Sequence, residues 1–383
     1  MVDRRSFLAT AGVAAGLSLA PRMAFAAAAT QRRFVFIIQR GAADGLGIVA
    51  PVGDPAFAGA RGDLAGDFGS APRLDATFAL HPAMTNALAM YRSGEALFAH
   101  AVASPYRDRS HFDGQNVLET GGAGAYQVRD GWMNRMLGVV PREDASAIAI
   151  AAAVPMALRG PHDVASYAPS SLPQASDDLL QRVAMMYQGD HQLHGLWTEA
   201  LGTRELTSDL GQGNGANAAA TGALAARLLA APDGARIAMI ETGGWDTHTQ
   251  QRQRLTQQLK GLDAMLAALK TGLGPLWSDT VVLVATEFGR TVAVNGTGGT
   301  DHGTGSAAML LGGAVKGGRV LADWPGLGAP ALFEARDLKP TLQLDAFIGG
   351  AVAGQFGLDP ARVTSTLFPG APRAAAVEGL MRL

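Results

Sequence analysis

The run TVVLVA at 280–285 shows no alternation of polar and apolar residues, and neither does RFVFIIQ at 33–39. A strand that is apolar on both sides needs cover on both faces, which is the position of a central strand in a parallel sheet flanked by helices. Each run also closes on a polar, glycine-bearing loop. Arg40-Gly41-Ala42-Ala43-Asp44-Gly45 follows the first, and Thr286-Glu287-Phe288-Gly289-Arg290 follows the second. Loops of this kind at the carboxyl ends of strands are where α/β proteins keep their sites.

The rest of the chain alternates in the same way. Further strands are expected over Ala96–Val102, Ala145–Ala152, Ala235–Glu241 and Ala307–Leu311. Helices are expected over Pro82–Ser93, Ser110–Thr120, Asp130–Val139, Ala218–Ala231, a long amphipathic segment ending near Leu273, and Leu338–Phe356. Residues 53–80 read as loop, and Ser176 to about Leu210 reads as helical. Strand and helix in alternation give an α/β fold with a central, mostly parallel sheet flanked by helices. No repeat or linker divides the chain, and the stretch 160–230 is the candidate for a helical insertion or cap on a domain covering 31–383.

The amino terminus reads as an address. Arg4-Arg5-Ser6-Phe7-Leu8 is a twin-arginine pair with its apolar follower. Ala9–Ala20 is an apolar run, and Ala24-Phe25-Ala26 is a small-residue cleavage site. Residues 1–26 are therefore expected to be a twin-arginine signal peptide, recognised by the twin-arginine translocase, and the mature protein periplasmic or extracellular. The run is too short for a stable membrane span. A short buried helix is the alternative. With 48% hydrophobic and 17% charged residues the chain can bury a large core. A formal net charge of −2 without a basic stripe argues against nucleic acid as a partner. The absence of cysteine excludes disulfides, thiolate metal sites and thiol catalysis.

The chemistry-bearing residues gather at the expected strand ends. Asp246-Thr247-His248 follows one strand, and Asp301-His302 leads into another. Asp44 and Glu287 stand at the ends of two more. In a parallel sheet these ends share one edge, so Asp44, Asp246, His248, Glu287, Asp301 and His302 are candidate metal ligands around one site. Carboxylates with imidazoles suit Zn, Mn, Fe, Mg or Ca, and the histidines favour transition metals. Each residue also has a plainer role open to it. Asp44-Gly45 makes a turn, Asp246 caps a helix, and Glu287 pairs with Arg290. Ser110, at the start of a helix beside Arg109 and His111, is a candidate nucleophile. It serves equally well as a helix cap, with Asp113 completing a capping box. His191 and His194 lie three apart in a helical stretch and read as surface or packing residues, and His81, His100 and His162 read as structural. No Walker loop, dinucleotide fingerprint or G-x-S-x-G elbow is present.

These motifs carry a resemblance. The leader with RGAADGL, SHFDGQ, GGWDTH and TEFGRT, which together span nearly the whole mature chain, resembles the secreted bacterial family catalogued as domain of unknown function fifteen-oh-one. The strand at 280–285 with Thr286–Gly289, the block Asp301–Gly305 before AAMLLGG, and Asp337–Leu342 resemble the alkaline phosphatase and sulfatase superfamily. That resemblance implies an alkaline-phosphatase-like fold and a divalent metal (Zn, Mn, Fe or Ca). It places Ser110 near the nucleophile's position, with Arg109, His111 and Arg290 steadying an anion. It departs at Glu287-Phe288, where the superfamily usually carries Asp-His, and it lacks the Cys/Ser-x-Pro-x-Arg motif of sulfatases. The resulting expectation is an exported metal-dependent hydrolase of phosphate or sulfate esters, acting on a small anionic ester. The alternative is a non-catalytic periplasmic binding or envelope-assembly protein on the same fold, with an envelope component as partner.

Overall fold

The computed structural model describes residues 31–168, 218–370 and 375–382, together with Val183, Met186, Tyr187, Leu193 and Trp197. The leader, most of the helical stretch at 176–210, His191 and His194 lie outside the described residues.

Among the described residues the strands are β1 (Arg33–Gln39), β2 (Val49–Ala50), β3 (Ala79–Leu80), β4 (Ala96–Ala103), β5 (Ala147–Ile150), β6 (Ala165–Ser166), β7 (Ile237–Thr242), β8 (Thr280–Ala285), β9 (Ser306–Leu311), β10 (Arg319–Leu321) and β11 (Leu342–Gln343). Nine of them form one sheet in the order β10-β4-β9-β8-β1-β7-β5-β6, with β11 also paired to β4. β2 and β3 make a separate antiparallel pair. In the large sheet β9 alone runs against its neighbours, antiparallel to both β4 and β8. β1 lies between β7 and β8, parallel to both, with Phe34 opposite Ile237 on one side and Val281 on the other. The mostly parallel α/β sheet expected from the unalternating runs is therefore present.

Both faces are covered, which explains the composition of β1. Phe34, Phe36 and Ile38 point into one core layer with Trp132, Phe347 and Ile348. Trp132 meets the Phe34 and Phe36 rings edge-on at 6.3 and 5.3 Å between centroids. Val35 and Ile37 point into the other layer, under the helices Ala218–Ala230 and Gln251–Leu273. Every residue of β1 and β8 is buried. The described part of the 160–230 stretch thus contributes one helix, Ala218–Ala230, to a core layer.

Local corrections have local causes. The segment 53–80 holds a short helix, Phe57–Arg61, and the strand β3 rather than loop alone. The last long helix begins at Leu344, not Leu338. Pro340 cannot donate to a ladder or a helix interior, and Leu342–Gln343 instead pair with Val102 and Ala103 of β4.

Candidate metal centre

One edge of the sheet gathers the carboxyl ends of β1, β4, β7 and β8. The single reversed strand brings its amino end to the same edge. The connection from β8 to β9 folds back on itself, with Arg290 bridged opposite His302. Gly289 donates to the Thr304 carbonyl at 3.0 Å, and Gly303 donates to the Gly289 carbonyl at 2.8 Å. The two arms touch so closely that a Cβ on Gly289 would stand 1.9 Å from the Gly305 oxygen, and one on Gly303 would stand 2.3 Å from the Arg290 carbonyl carbon. The glycines of the FGR and DHG motifs are thus required by backbone contact. That contact sets Glu287 and Arg290 beside Asp301 and His302.

Three imidazoles meet at this edge. His111 is the first residue of the helix His111–Thr120 after β4. His248 follows β7, and His302 precedes β9. His111 Nδ1 lies 2.8 Å from Glu287 Oε1, His248 Nδ1 lies 3.1 Å from Asp301 Oδ1, and His302 Nδ1 lies 2.9 Å from the Arg109 carbonyl oxygen. A carbonyl or an ionised carboxylate only accepts, so each Nδ1 carries a proton, and in the neutral ring each Nε2 turns a lone pair inward. Those lone pairs converge on one carboxylate. His248 Nε2 and His302 Nε2 lie 3.0 and 3.4 Å from Asp246 Oδ1, and His111 Nε2 lies 3.5 Å from Asp246 Oδ2. The two nitrogens of His248 and His302 are themselves 3.0 Å apart. His111 Nε2 is buried without any hydrogen-bond partner.

Lone pairs facing lone pairs repel unless a proton or a metal ion stands among them. The ligand atoms of His111, Asp246 and His302 all lie within 4.8 Å of one another. Ligands of one ion at bond lengths of about 2.0–2.2 Å span separations such as the 3.4 and 3.5 Å found here. Asp246, Asp301 and Glu287 against the single guanidinium of Arg290 leave excess negative charge for a divalent ion to balance. Nitrogen and carboxylate donors with each outer ring nitrogen anchored form the donor set of a zinc-type site. The residues fit a metal.

The supporting shell is dense. Glu287 is fully buried, and its Oε1 also accepts from the Gly41 amide at 2.8 Å and from Gln115 Nε2 at 3.1 Å. Burial pushes its carboxyl up, but the hydrogen bonds from His111, Gln115 and the Gly41 amide outweigh this and hold it below the ordinary range. The same bond to Glu287 raises His111. Burial, with the neighbouring His111, lowers His302. For Asp246, burial is outweighed by Arg290, which donates from Nη1 at 2.7 Å, and the carboxyl is held low. Asn295 and His248 do the same for Asp301. Phe288 stacks on His111 with 5.1 Å between centroids and an interplanar angle of 23°, closing the side of the ring away from solvent.

The expected site residues therefore divide. Asp246, His248, Asp301 and His302 come together, and His111 joins them at the centre. Glu287 stands behind His111 and Arg290 behind Asp246, so Glu287 does not pair with Arg290. Asp246 caps no helix, since the next one begins at Gln251. Asp44 is engaged elsewhere through its Oδ2, bound by the buried Arg61 and by Gln251, while its Oδ1 is buried without a partner among the described residues. Ser110 precedes the helix without a side-chain cap bond, and Asp113 reaches the Tyr106 hydroxyl at 3.4 Å, so no capping box forms. Arg109 pairs with Asp337 and Glu334. His100 is a core residue, hydrogen-bonded to the Val49 carbonyl at 2.7 Å and pushed down by burial to about 4. Gln115, Asn295 and Phe288 were not anticipated. Gln115 had a usable signal, because it stands one helical turn after His111 and so meets the same partner.

Known proteins add the following. The chain belongs to the family described as Protein of unknown function (DUF1501), whose sequence model matches residues 31–368. No curated protein matches it. Its fold is similar to the zinc-bound C-terminal periplasmic domain of EcEptC from Escherichia coli, at 8% identity over 74% of each chain with a TM-score of 0.36. It is also similar to the phosphonate monoester hydrolase of Agrobacterium radiobacter, at 11% identity over 90% of this chain and 79% of that one, with a TM-score of 0.34.

Proposed function

We propose that this member of the DUF1501 family is an exported, metal-dependent hydrolase of phosphate or sulfate esters. The observation that carries the reading is the convergence of the His111, His248 and His302 Nε2 atoms on the Asp246 carboxylate, with every Nδ1 already engaged. When bound, the ion supplies a Lewis acid for the ester oxygen and lowers the pKa of an attacking water or hydroxyl. His111, Asp246 and His302 hold it, and His248 stands beside them. Glu287, Asp301 and the Arg109 carbonyl keep the three rings in the tautomer that faces the ion. Arg290 fixes the Asp246 carboxylate from behind. Asp44 is already neutralised by Arg61, with both side chains 1% exposed, which supports one ion rather than two. Ser110, whose side chain makes no cap bond and which adjoins His111, is the protein hydroxyl available for attack.

Export is supported by the twin-arginine leader and the Ala24-Phe25-Ala26 site. Among the described residues no helix is long and apolar enough to cross a membrane. The test is a screen of aryl phosphates, phosphonates and sulfates with zinc-, manganese- and iron-loaded protein. Turnover that is lost in His302→Ala and kept at a reduced rate in Ser110→Ala supports a metal-activated water. Loss in both supports Ser110.

A binding role is favoured by one observation. The arginines around the centre are committed to acids: Arg290 to Asp246, Arg109 to Asp337 and Glu334, and Arg40 to Glu119 and Glu241. Metal uptake without turnover on any ester of the screen would favour that reading.

A further inference from the structure

Asp337 is fully buried between Arg336 and Leu338, and no expectation about chemistry fell on it. Its Oδ2 accepts from Arg109 Nε at 2.9 Å and from Thr304 Oγ1 at 2.8 Å, and Arg109 Nη2 lies 2.8 Å from it as an ion pair. Its Oδ1 accepts from Arg336 Nε at 2.9 Å. Each of these partners leads back to His302. Arg109 presents its carbonyl to His302 Nδ1 at 2.9 Å, and it does so from a left-handed backbone, φ +60°, that a residue with a Cβ seldom adopts. Arg336 donates from Nη2 to the His302 carbonyl. Thr304 lies two residues along the same arm. One buried carboxylate thus grips the ring acceptor, the main chain and the following turn of a single histidine.

A side chain that serves only stability has no need to converge on one imidazole by three routes. Arg109 in particular is held at its guanidinium while its strained carbonyl does the orienting. We propose that Asp337 is a positioning residue for His302, fixing the direction of Nε2 towards the metal through Arg109, Arg336 and Thr304. The inference rests on the metal centre proposed above. It makes the region beginning at Asp337, remote in sequence from the histidines, part of the apparatus that sets metal affinity.

The test measures Co(II) and Zn(II) affinity by competition with a chromophoric chelator, together with the visible Co(II) bands and the melting of the metal-free protein. Asp337→Asn is expected to weaken both metals by roughly 10–100-fold and to shift the Co(II) bands. Thr304→Val, which removes one of the donors at similar volume, is expected to weaken them several-fold. Glu334→Gln removes the exposed partner of the same guanidinium and is expected to stay within about twofold of wild type. If Asp337→Asn fails to fold, Thr304→Val and Arg336→Met carry the test. Wild-type affinity and bands in the clamp variants, or equal losses in Glu334→Gln, would overturn the positioning role while leaving the metal centre standing. A wild-type protein that takes up neither metal would overturn both.

Discussion

Asp345 lies in the first turn of the helix Leu344–Phe356 and is 4% exposed. Burial pushes its carboxyl up from 3.8 to about 7, with no offsetting partner among the described residues. The folded protein therefore keeps a proton that the unfolded chain releases between those two values. Stability from this group is fully present below the unfolded value and is lost as pH rises through the folded one. At about 1.36 kcal/mol for each pH unit between those two values, the upper bound is about 4 kcal/mol. The field at the helix amino terminus favours the anion and offsets part of that. Asp345→Asn has the shape of the protonated acid and cannot ionise. In urea unfolding of the metal-free protein at about pH 8, the variant is expected to be more stable than wild type by about 2–4 kcal/mol. At about pH 4 the two should be within about 0.5 kcal/mol. Equal differences at both pH values, or no gain at the higher one, would show that the carboxyl is not desolvated as its burial implies.

Glu287→Gln keeps the shape of the group behind His111 but removes the charge that sets its tautomer, so metal affinity should fall by roughly 10–100-fold in the chelator assay. Unchanged affinity would show that Glu287 serves the fold alone. Gly289→Ala places a Cβ 1.9 Å from a main-chain oxygen that cannot swing away. It should lower stability by at least about 1–3 kcal/mol in denaturant melts and reduce bound metal, because the Glu287 arm shifts relative to the His302 arm. A fully stable, metal-replete variant would contradict the close contact. Ile37→Ala removes a fully buried side chain beneath the Gln251–Leu273 helix, and a loss of about 2–5 kcal/mol is expected without change in metal stoichiometry.

Much of this arrangement was legible in the residues. β1 and β8 lie where the unalternating runs begin and end, because strands buried on both faces write that pattern directly. Asp246, His248, Asp301 and His302 were recognisable as acids and imidazoles beside strands. The direction of β9 was not legible, since an apolar run reads the same both ways. Its reversal is set by the fold-back of the 286–305 connection, where Gly289 and Gly303 allow the arms to touch. Asp44 looked like a ligand at the end of β1, yet its buried partner Arg61 lies in a segment read as loop. Phe288 offers no ligand atom at the end of β8, but His111, from another element, stacks on its ring. Pairings such as Glu287 with His111 or Asp337 with Arg109 join distant parts of the chain, and no local pattern encodes them.

Metal held by His111, Asp246 and His302 is read by elemental analysis of the folded protein, purified without chelator, beside His302→Ala. About one equivalent of zinc, manganese or iron in the wild type, lost in the variant, is the expected result. A wild-type protein without metal under replete conditions, or one whose metal survives the loss of His302, would contradict the claim.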